Sequence, residues 1–332
     1  MLVFYKIRSN RVARDIRKQA LSQLQGLILK MDSKSKRPVF ATKKKVIGII
    51  GGSGPEAGAD LFGKVLALHR TKLGHSYRSD RDAPNIVLMS VADLGGPRTS
   101  IDLEPGNSEG TYDASLTALI ETVRTMLPLV DVFSLACNTL HTMEPQLLES
   151  ISNAGRDPSV FCSMVGATIR ACKSRLETAR SKRQKTKISI LGGPATLDLS
   201  KNSRSSYKRL LEELGEDAFY VLPHSAICIL QTIIWQIKDL GRPPTSGAAL
   251  EAYKDLVKEL ATEHGVSICV LACTELPLID IRSGNAENCL PDENTVLEFI
   301  DPTEVVASAL LDATHNYPDS ISTTASPNDW MA

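Results

Sequence analysis

The sequence predicts an α/β protein made of two pseudo-duplicated domains, each a parallel sheet flanked by helices, with the active site in the cleft between them. Three observations predict it. Short β-prone runs alternate with amphipathic stretches, an order that calls for parallel strands covered by helices on both faces. Glycine-rich turns follow two of those runs, at Gly51-Gly52 and Gly192-Gly193. Each turn is succeeded at similar distance by a strand ending in Ala-Cys: 86 residues separate Gly51 from Cys137, and 81 separate Gly192 from Cys273. Similar order at similar spacing is the mark of a repeated unit.

The elements follow in order. Residues 45–50 (KVIGII) form a short apolar strand, closed by Gly51-Gly52-Ser53-Gly54-Pro55 and followed by a helical pattern over 56–73, with Leu61, Val65 and Leu68 on one face. Residues 85–91 are the next strand, and 93–107 a Gly/Pro-punctuated loop of a length that usually carries function. An amphipathic helix over 111–127 feeds the strand before Cys137, and a helix over 145–154 comes after it. The pattern then restarts: strand 160–164, helix 167–181, strand 187–191, helix 201–214, strand 219–222, helices 227–240 and 247–263, and the strand before Cys273. Asp301-Pro302-Thr303 opens a last helix to about residue 313. The expected boundaries are a first domain over 45–152 completed by 291–314, a second over 153–290, and a Ser/Thr/Pro/Asp-rich tail over 315–332 whose composition predicts disorder.

Composition narrows the classes. With 332 residues and 42% hydrophobic content the chain can bury a large core, and its length suits two domains. Formal charge is zero, yet residues 1–45 carry 13 Lys or Arg against two Asp, leaving 25 basic against 36 acidic residues elsewhere. An acidic main body argues against nucleic acid as a partner. The basic segment over 1–44 reads as an extension, or as an organelle transit peptide, which is Arg-rich and poor in acid. Seven Cys at irregular spacing do not make a disulfide framework and fit a reducing compartment, so the expected location is cytoplasmic, or organellar if the extension is a transit peptide. No apolar run approaches the roughly 20 residues that span a bilayer.

Two stretches carry the chemistry. In 130–145 (VDVFSLACNTLHTMEP) an apolar run ends at Cys137 and polar side chains follow at once; 267–279 (SICVLACTELPLI) repeats the design around Cys273. The carboxyl end of a parallel strand is where α/β sheets place ligands, and a thiol there, next to a helix start, is favoured as thiolate. Free Cys is usually a buried core residue, the role expected for Cys162, Cys172, Cys228, Cys269 and Cys289. Cys137 and Cys273 differ because hydroxyl, amide and carboxylate groups follow each sulfur: Asn138-Thr139 in one case, Thr274-Glu275 in the other. Gly52-Ser53-Gly54-Pro55-Glu56-Ala57 satisfies a loose dinucleotide fingerprint, but the acid that should hold a ribose about 20 residues on is displaced to Asp93, 41 residues after Gly52. The turn therefore reads as a close-approach turn or a cradle for a carboxylate. His141 lies four residues after Cys137 and invites a Cys-His hydrolase reading, which would leave Cys273 unexplained; a capping role suits it better.

The run GGSGP, then ACNTLH, then LACTELPLI, then DPTEVV, resembles the aspartate/glutamate racemase family over about residues 45–313, and the Cys-Thr-Glu form resembles its aspartate racemase branch. Glutamate racemases typically have Thr-His after the second Cys. The resemblance implies a racemase that needs no cofactor and no metal, in which Cys137 and Cys273 face each other across the substrate Cα as thiolate and thiol. It also implies carboxylate-holding cations, Arg98 in Pro97-Arg98-Thr99 and Lys238 in Ile237-Lys238-Asp239-Leu240-Gly241. Gly52, Ser53, Asn138, Thr139, Thr274 and Glu275 are the remaining substrate-binding candidates by position. Ser53 stands where aspartate racemases usually have Met, and Gly95-Gly96 alters the loop before Arg98; both bear on substrate identity.

The expected substrate is thus a small acidic amino acid, aspartate first and glutamate second, with a homodimer as the expected assembly and no membrane partner. Two alternatives remain: a dicarboxylate isomerase or decarboxylase, and a non-catalytic binder of an amino acid or nucleotide that kept the cleft.

Overall fold

The structure, a computed structural model, describes residues 44–95, 111–181, 186–197, 205–279 and 297–315. The basic extension, most of the loop over 93–107 with Arg98, Cys289 and the tail lie outside the described residues. The described residues make one compact unit, and two three-stranded parallel sheets lie within it.

The first sheet contains β1 (Val46–Gly51), β2 (Asn85–Ser90) and β3 (Val132–Leu135), in the order β2-β1-β3. All six residues of the central strand β1 are buried, as its unbroken apolar sequence requires. The second contains β4 (Lys187–Leu191), β5 (Val266–Leu271) and β6 (Glu298–Ile300), in that order. Single parallel bridges extend both: Phe161 pairs with Phe133, and Phe219 pairs with Ile188. Counting them, both sheets have the same order, with β1 matching β4, β2 matching Phe219, β3 matching β5 and Phe161 matching β6. The repeat expected from spacing is thus present in the hydrogen bonding.

Two expected strands shrink to those bridges. Over 160–164, Pro158–Val160 is a 3-10 turn, Cys162 donates one backbone bond to Phe133 O at 2.8 Å, and a helix begins at Met164. Over 219–222 the pairing stops after Phe219, with Tyr220 N–H on Ile188 O at 2.9 Å. Each run has apolar β-formers but only one neighbour to pair with, so tertiary context decides.

The helices are α1 (Pro55–Leu73), α2 (Thr111–Met126), α3 (Glu144–Asn153), α4 (Met164–Ser181), α5 (Lys208–Leu214), α6 (His224–Leu240), α7 (Ala248–Thr262) and α8 (Pro302–Thr314), with one further helical turn at Pro194–Leu197. The helix expected over 201–214 is thus seen from Lys208 only. Period-2 alternation sorts each strand onto two cores. Ile188, Ile190, Ile268 and Val270 pack under α4 and Tyr207, while Leu191, Cys269 and Leu271 pack under α6 and α7. Ile47 and Ile49 pack against α1 and α8.

The last helix of each lobe crosses to the other. After the first sheet's Phe161, α4 covers the second sheet; after β6 in the second sheet, α8 covers the first. Asp301 caps α8 by accepting Thr303 N–H at 2.8 Å. Lys64 on α1 reaches Asp60 at 2.5 Å, Asp301 at 2.6 Å and Thr303 Oγ1 at 2.7 Å, tying the point where the chain returns to the first lobe. Among the described residues no helix is long and apolar enough to cross a membrane.

Candidate active site

Four turns build the site, three at strand ends. The first leaves β1 through Gly51-Gly52-Ser53-Gly54. Gly52 has φ 120° and Gly54 φ 93°, both in the region open to glycine. A Cβ on Gly52 would lie 2.1 Å from Val91 O, so the turn packs directly on the chain leaving β2. Pro55 follows in the first turn of α1, where its missing N–H leaves no bond unmade. Folded this way, the turn presents Ser53 Oγ to Cys137 Sγ, which donates to it at 3.5 Å.

The second turn follows β3. Ala136 N–H bonds to Ile50 O at 2.8 Å, and the buried Cys137 comes next, ahead of a 3-10 turn over Thr139–Met143. His141 lies buried beneath this turn. Its Nε2 accepts Met164 N–H at 3.0 Å, so its proton sits on Nδ1 and is given to Cys137 O at 2.8 Å. Burial holds its pKa below the usual histidine value against the opposing pull of Glu144 and the Cys137 carbonyl, so the ring is neutral. His141 therefore braces the Cys137 backbone and caps α4; neither ring nitrogen addresses the sulfur, which removes the geometry a Cys-His nucleophile needs. Asn138 accepts the Tyr207 hydroxyl on Oδ1 at 2.8 Å and the Ser206 hydroxyl on its backbone O at 3.2 Å, while its Nδ2 is buried with no partner among the described residues. Thr139 is half-buried and joins no hydrogen bond of this network.

The third turn follows β5. Ala272 N–H reaches Leu191 O at 2.7 Å, then Cys273, half-buried, and the buried Thr274 and Glu275 form a turn closed by Leu276 N–H on Cys273 O at 3.0 Å. Cys273 Sγ donates to Glu275 Oε2 at 2.8 Å, and Thr274 Oγ1 to the same oxygen at 3.4 Å. The fourth turn is the C-terminal end of α6, where Lys238 Nζ pairs with Glu275 Oε1 at 2.5 Å. Burial alone would lower the Lys238 pKa; the Glu275 carboxylate, with the Cys273 and Cys137 sulfurs behind it, raises it instead. The Cys273 thiol is pushed well above its ordinary value by burial and then by the Glu275 charge, with Lys238 opposing in part.

These turns meet. A Cβ on Gly54 would fall 2.6 Å from Glu275 Oε1 and 3.4 Å from Lys238 Nζ, so the glycine turn of the first lobe lies against the ion pair of the second. Ser53, Cys137, Lys238, Cys273, Thr274 and Glu275 are thus joined through the Gly54 turn, whereas Gly52 packs on Val91, Asn138 turns to Ser206 and Tyr207, and Arg98 is outside the described residues. Ser206 and Tyr207, which cross from the second lobe to Asn138, carry no sequence signal of their own: they lie about 70 residues from their partner, in no recognisable motif. Beside the Cys137 turn a cavity of about 530 Å³ opens, lined by His141, Thr142, Gln146, Ser206 and Arg209 among others, with neither Cys137 nor Cys273 in its wall. Among the described residues no group of three or more His, Cys, Asp or Glu is arranged to hold a metal ion.

The fold can now be compared with known structures. A crystal structure of an aspartate racemase homologue from Pyrococcus horikoshii OT3 superposes with a TM-score of 0.53 at 19% identity, over 81% of this chain and 98% of that one. A candidate Asp/Glu racemase from Yersinia pestis gives 0.55 at 21%, again over 81% and 98%. This chain has their fold. No protein-family profile and no curated protein sequence matches it.

Proposed function

We propose that this protein racemises an acidic amino acid, aspartate before glutamate, without a cofactor, by two-base proton transfer between Cys137 and Cys273. One thiolate removes the Cα proton from one face while the other sulfur, as thiol, delivers a proton to the opposite face, and the roles exchange with the enantiomer bound. The observation that carries this reading is that one run of contacts joins both thiol turns: Cys273 and Lys238 both hold Glu275, Gly54 of the first lobe lies against that ion pair, and the neighbouring Ser53 accepts the Cys137 S–H. The likeness in fold to the two racemase-type structures supports it.

The α-proton of an amino acid is far less acidic than a thiol. The developing charge therefore needs fixed donors in an enclosed site. The unpartnered Asn138 Nδ2 is such a donor, and Thr139, Thr274 and the backbone of the Gly52-Ser53 turn are the others in this reading. Lys238 and Arg98 take the substrate carboxylates.

The test is deuterium uptake at Cα of aspartate and of glutamate in D₂O, with no pyridoxal phosphate, nucleotide or metal added. Uptake with inversion supports the proposal, and its absence with both amino acids ends the substrate assignment. Cys137→Ala and Cys273→Ala should each lower racemisation by about 10²–10⁴-fold; full turnover in both variants would rule out the two-thiol mechanism.

A further inference from the structure

We propose that Glu275 is a positioning residue that keeps the proton on Cys273, so that the resting site holds Cys273 as the acid and leaves Cys137 to serve as the base. This rests on the racemase reading above and assigns the two sulfurs unequal starting states. Glu275 was expected to bind substrate, but both of its oxygens are already engaged: Oε2 accepts the Cys273 S–H at 2.8 Å and Oε1 faces Lys238 Nζ at 2.5 Å. The side chain is 3% exposed, so water does not compete for these contacts.

A carboxylate that accepts a thiol proton stabilises the thiol, and the same carboxylate would repel the thiolate left after proton loss. Lys238 and Glu275 compensate each other, so the cation cannot act on Cys273 alone. Among the described residues the Tyr207 hydroxyl also lies within electrostatic reach of Cys273, and burial pushes its own pKa up. The raised pKa of Cys273 agrees with this geometry. Among the described residues the sulfur of Cys137 has no carboxylate partner: it donates to the uncharged Ser53 hydroxyl.

The proton balance follows. Cys137 first loses its S–H proton to solvent, and when the enantiomer whose Cα–H faces it is bound, the resulting thiolate takes the Cα proton. The Cys273 S–H bond breaks, its proton goes to the opposite face of Cα, and its electron pair stays on sulfur. The new thiolate then lies beside Glu275 and regains a proton, and Cys137 gives up the one it took, before the same direction can run again. The equilibrium constant of a racemisation is one, so kcat/KM is equal in both directions, and the asymmetry has to be read from the thiol itself.

The experiment is alkylation of full-length protein by iodoacetamide across pH, without amino acid, following the Cys273 peptide by mass spectrometry with the exposed Cys228 as internal control. The rate at pH 8 should rise about tenfold or more in Glu275→Gln, with the midpoint moving down by at least about one pH unit. Glu275→Asp should stay close to the parent. Lys238→Met should not accelerate labelling, since it removes a cation and keeps the carboxylate; circular dichroism of the variant checks that the fold survives loss of the ion pair. If Glu275→Gln leaves the Cys273 profile unchanged, or if Lys238→Met accelerates labelling as much as Glu275→Gln does, the site has merely opened and the inference is wrong. The two proposals separate cleanly. Deuterium exchange without a change in labelling removes the role of Glu275, whereas the labelling pattern without exchange removes the racemase reading and leaves Glu275 in control of the thiol.

Discussion

The two lobes share a strand order, and each places a Cys after its third strand, yet the sulfurs are held by different chemistry. Cys137 gives its hydrogen bond to a serine hydroxyl and has its backbone braced from below by a neutral histidine. Cys273 gives its bond to a carboxylate that is in turn paired with a lysine. A repeated scaffold has thus been kept for position while its turns diverged in charge. The glycine turns differ likewise: the first is jammed against Val91 with φ at 120°, whereas a Cβ on Gly193 in the second would meet nothing within 4 Å.

The largest expected effect tests that last contrast. Gly52→Ala forces a side chain into backbone and an unfavourable φ at once, and should lower unfolding free energy by roughly 3–5 kcal/mol in a urea titration. A loss below about 1 kcal/mol would mean the first turn has the freedom of the second. Tyr207→Phe comes next. It removes the hydroxyl that crosses between lobes to Asn138 and should cost about 1–2 kcal/mol, with KM raised more than kcat is lowered in the deuterium assay.

Acid should separate the lobes more gently. His315 at the end of α8 packs against His69 of α1, with ring centroids 4.7 Å apart and the rings tilted by 59°. Burial first, then His69 and the Lys44 and Lys45 cations, lower its pKa from 6.5 to about 4. His69 is lowered too, chiefly by burial. Groups with depressed histidine pKa values favour protonation in the unfolded chain, so their stability is fully present above about 6.5 and is lost as pH falls from there toward about 4. Hydrogen exchange in that window should show α1 and α8 losing protection before α6 and α7, and His315→Asn should flatten the difference. The smallest effect is Gly193→Ala, which should stay within about 0.5 kcal/mol of the parent in the same urea titration used for Gly52→Ala.

Much of this was legible in the sequence because it rested on local pattern. Apolar runs such as 45–50 and the one leading to Cys273 read as strands, which the structure places at 46–51 and 266–271, and Ala-Cys followed by polar residues marked both turns. What escaped depended on partners far along the chain. The runs at 160–164 and 219–222 have strand composition but find one bridge each, since a helix start and a 3-10 turn claim their neighbours. His141 could be read as a nucleophile's partner or as a cap, and only the position of Met164 N–H, 23 residues on, decides between them. Lys238 and Glu275 were each placed as substrate contacts, and that they hold each other could not be read from a separation of 37 residues on different elements.

The exchange of α4 and α8 between the lobes bears on how the chain can be cut. Each half of the repeat lends its closing helix to its twin, so neither half presents a finished surface by itself. A fragment that ends before α4, or one that begins after it, leaves the apolar face of a sheet uncovered, so the two halves repeat a strand order yet form a single object for any truncation.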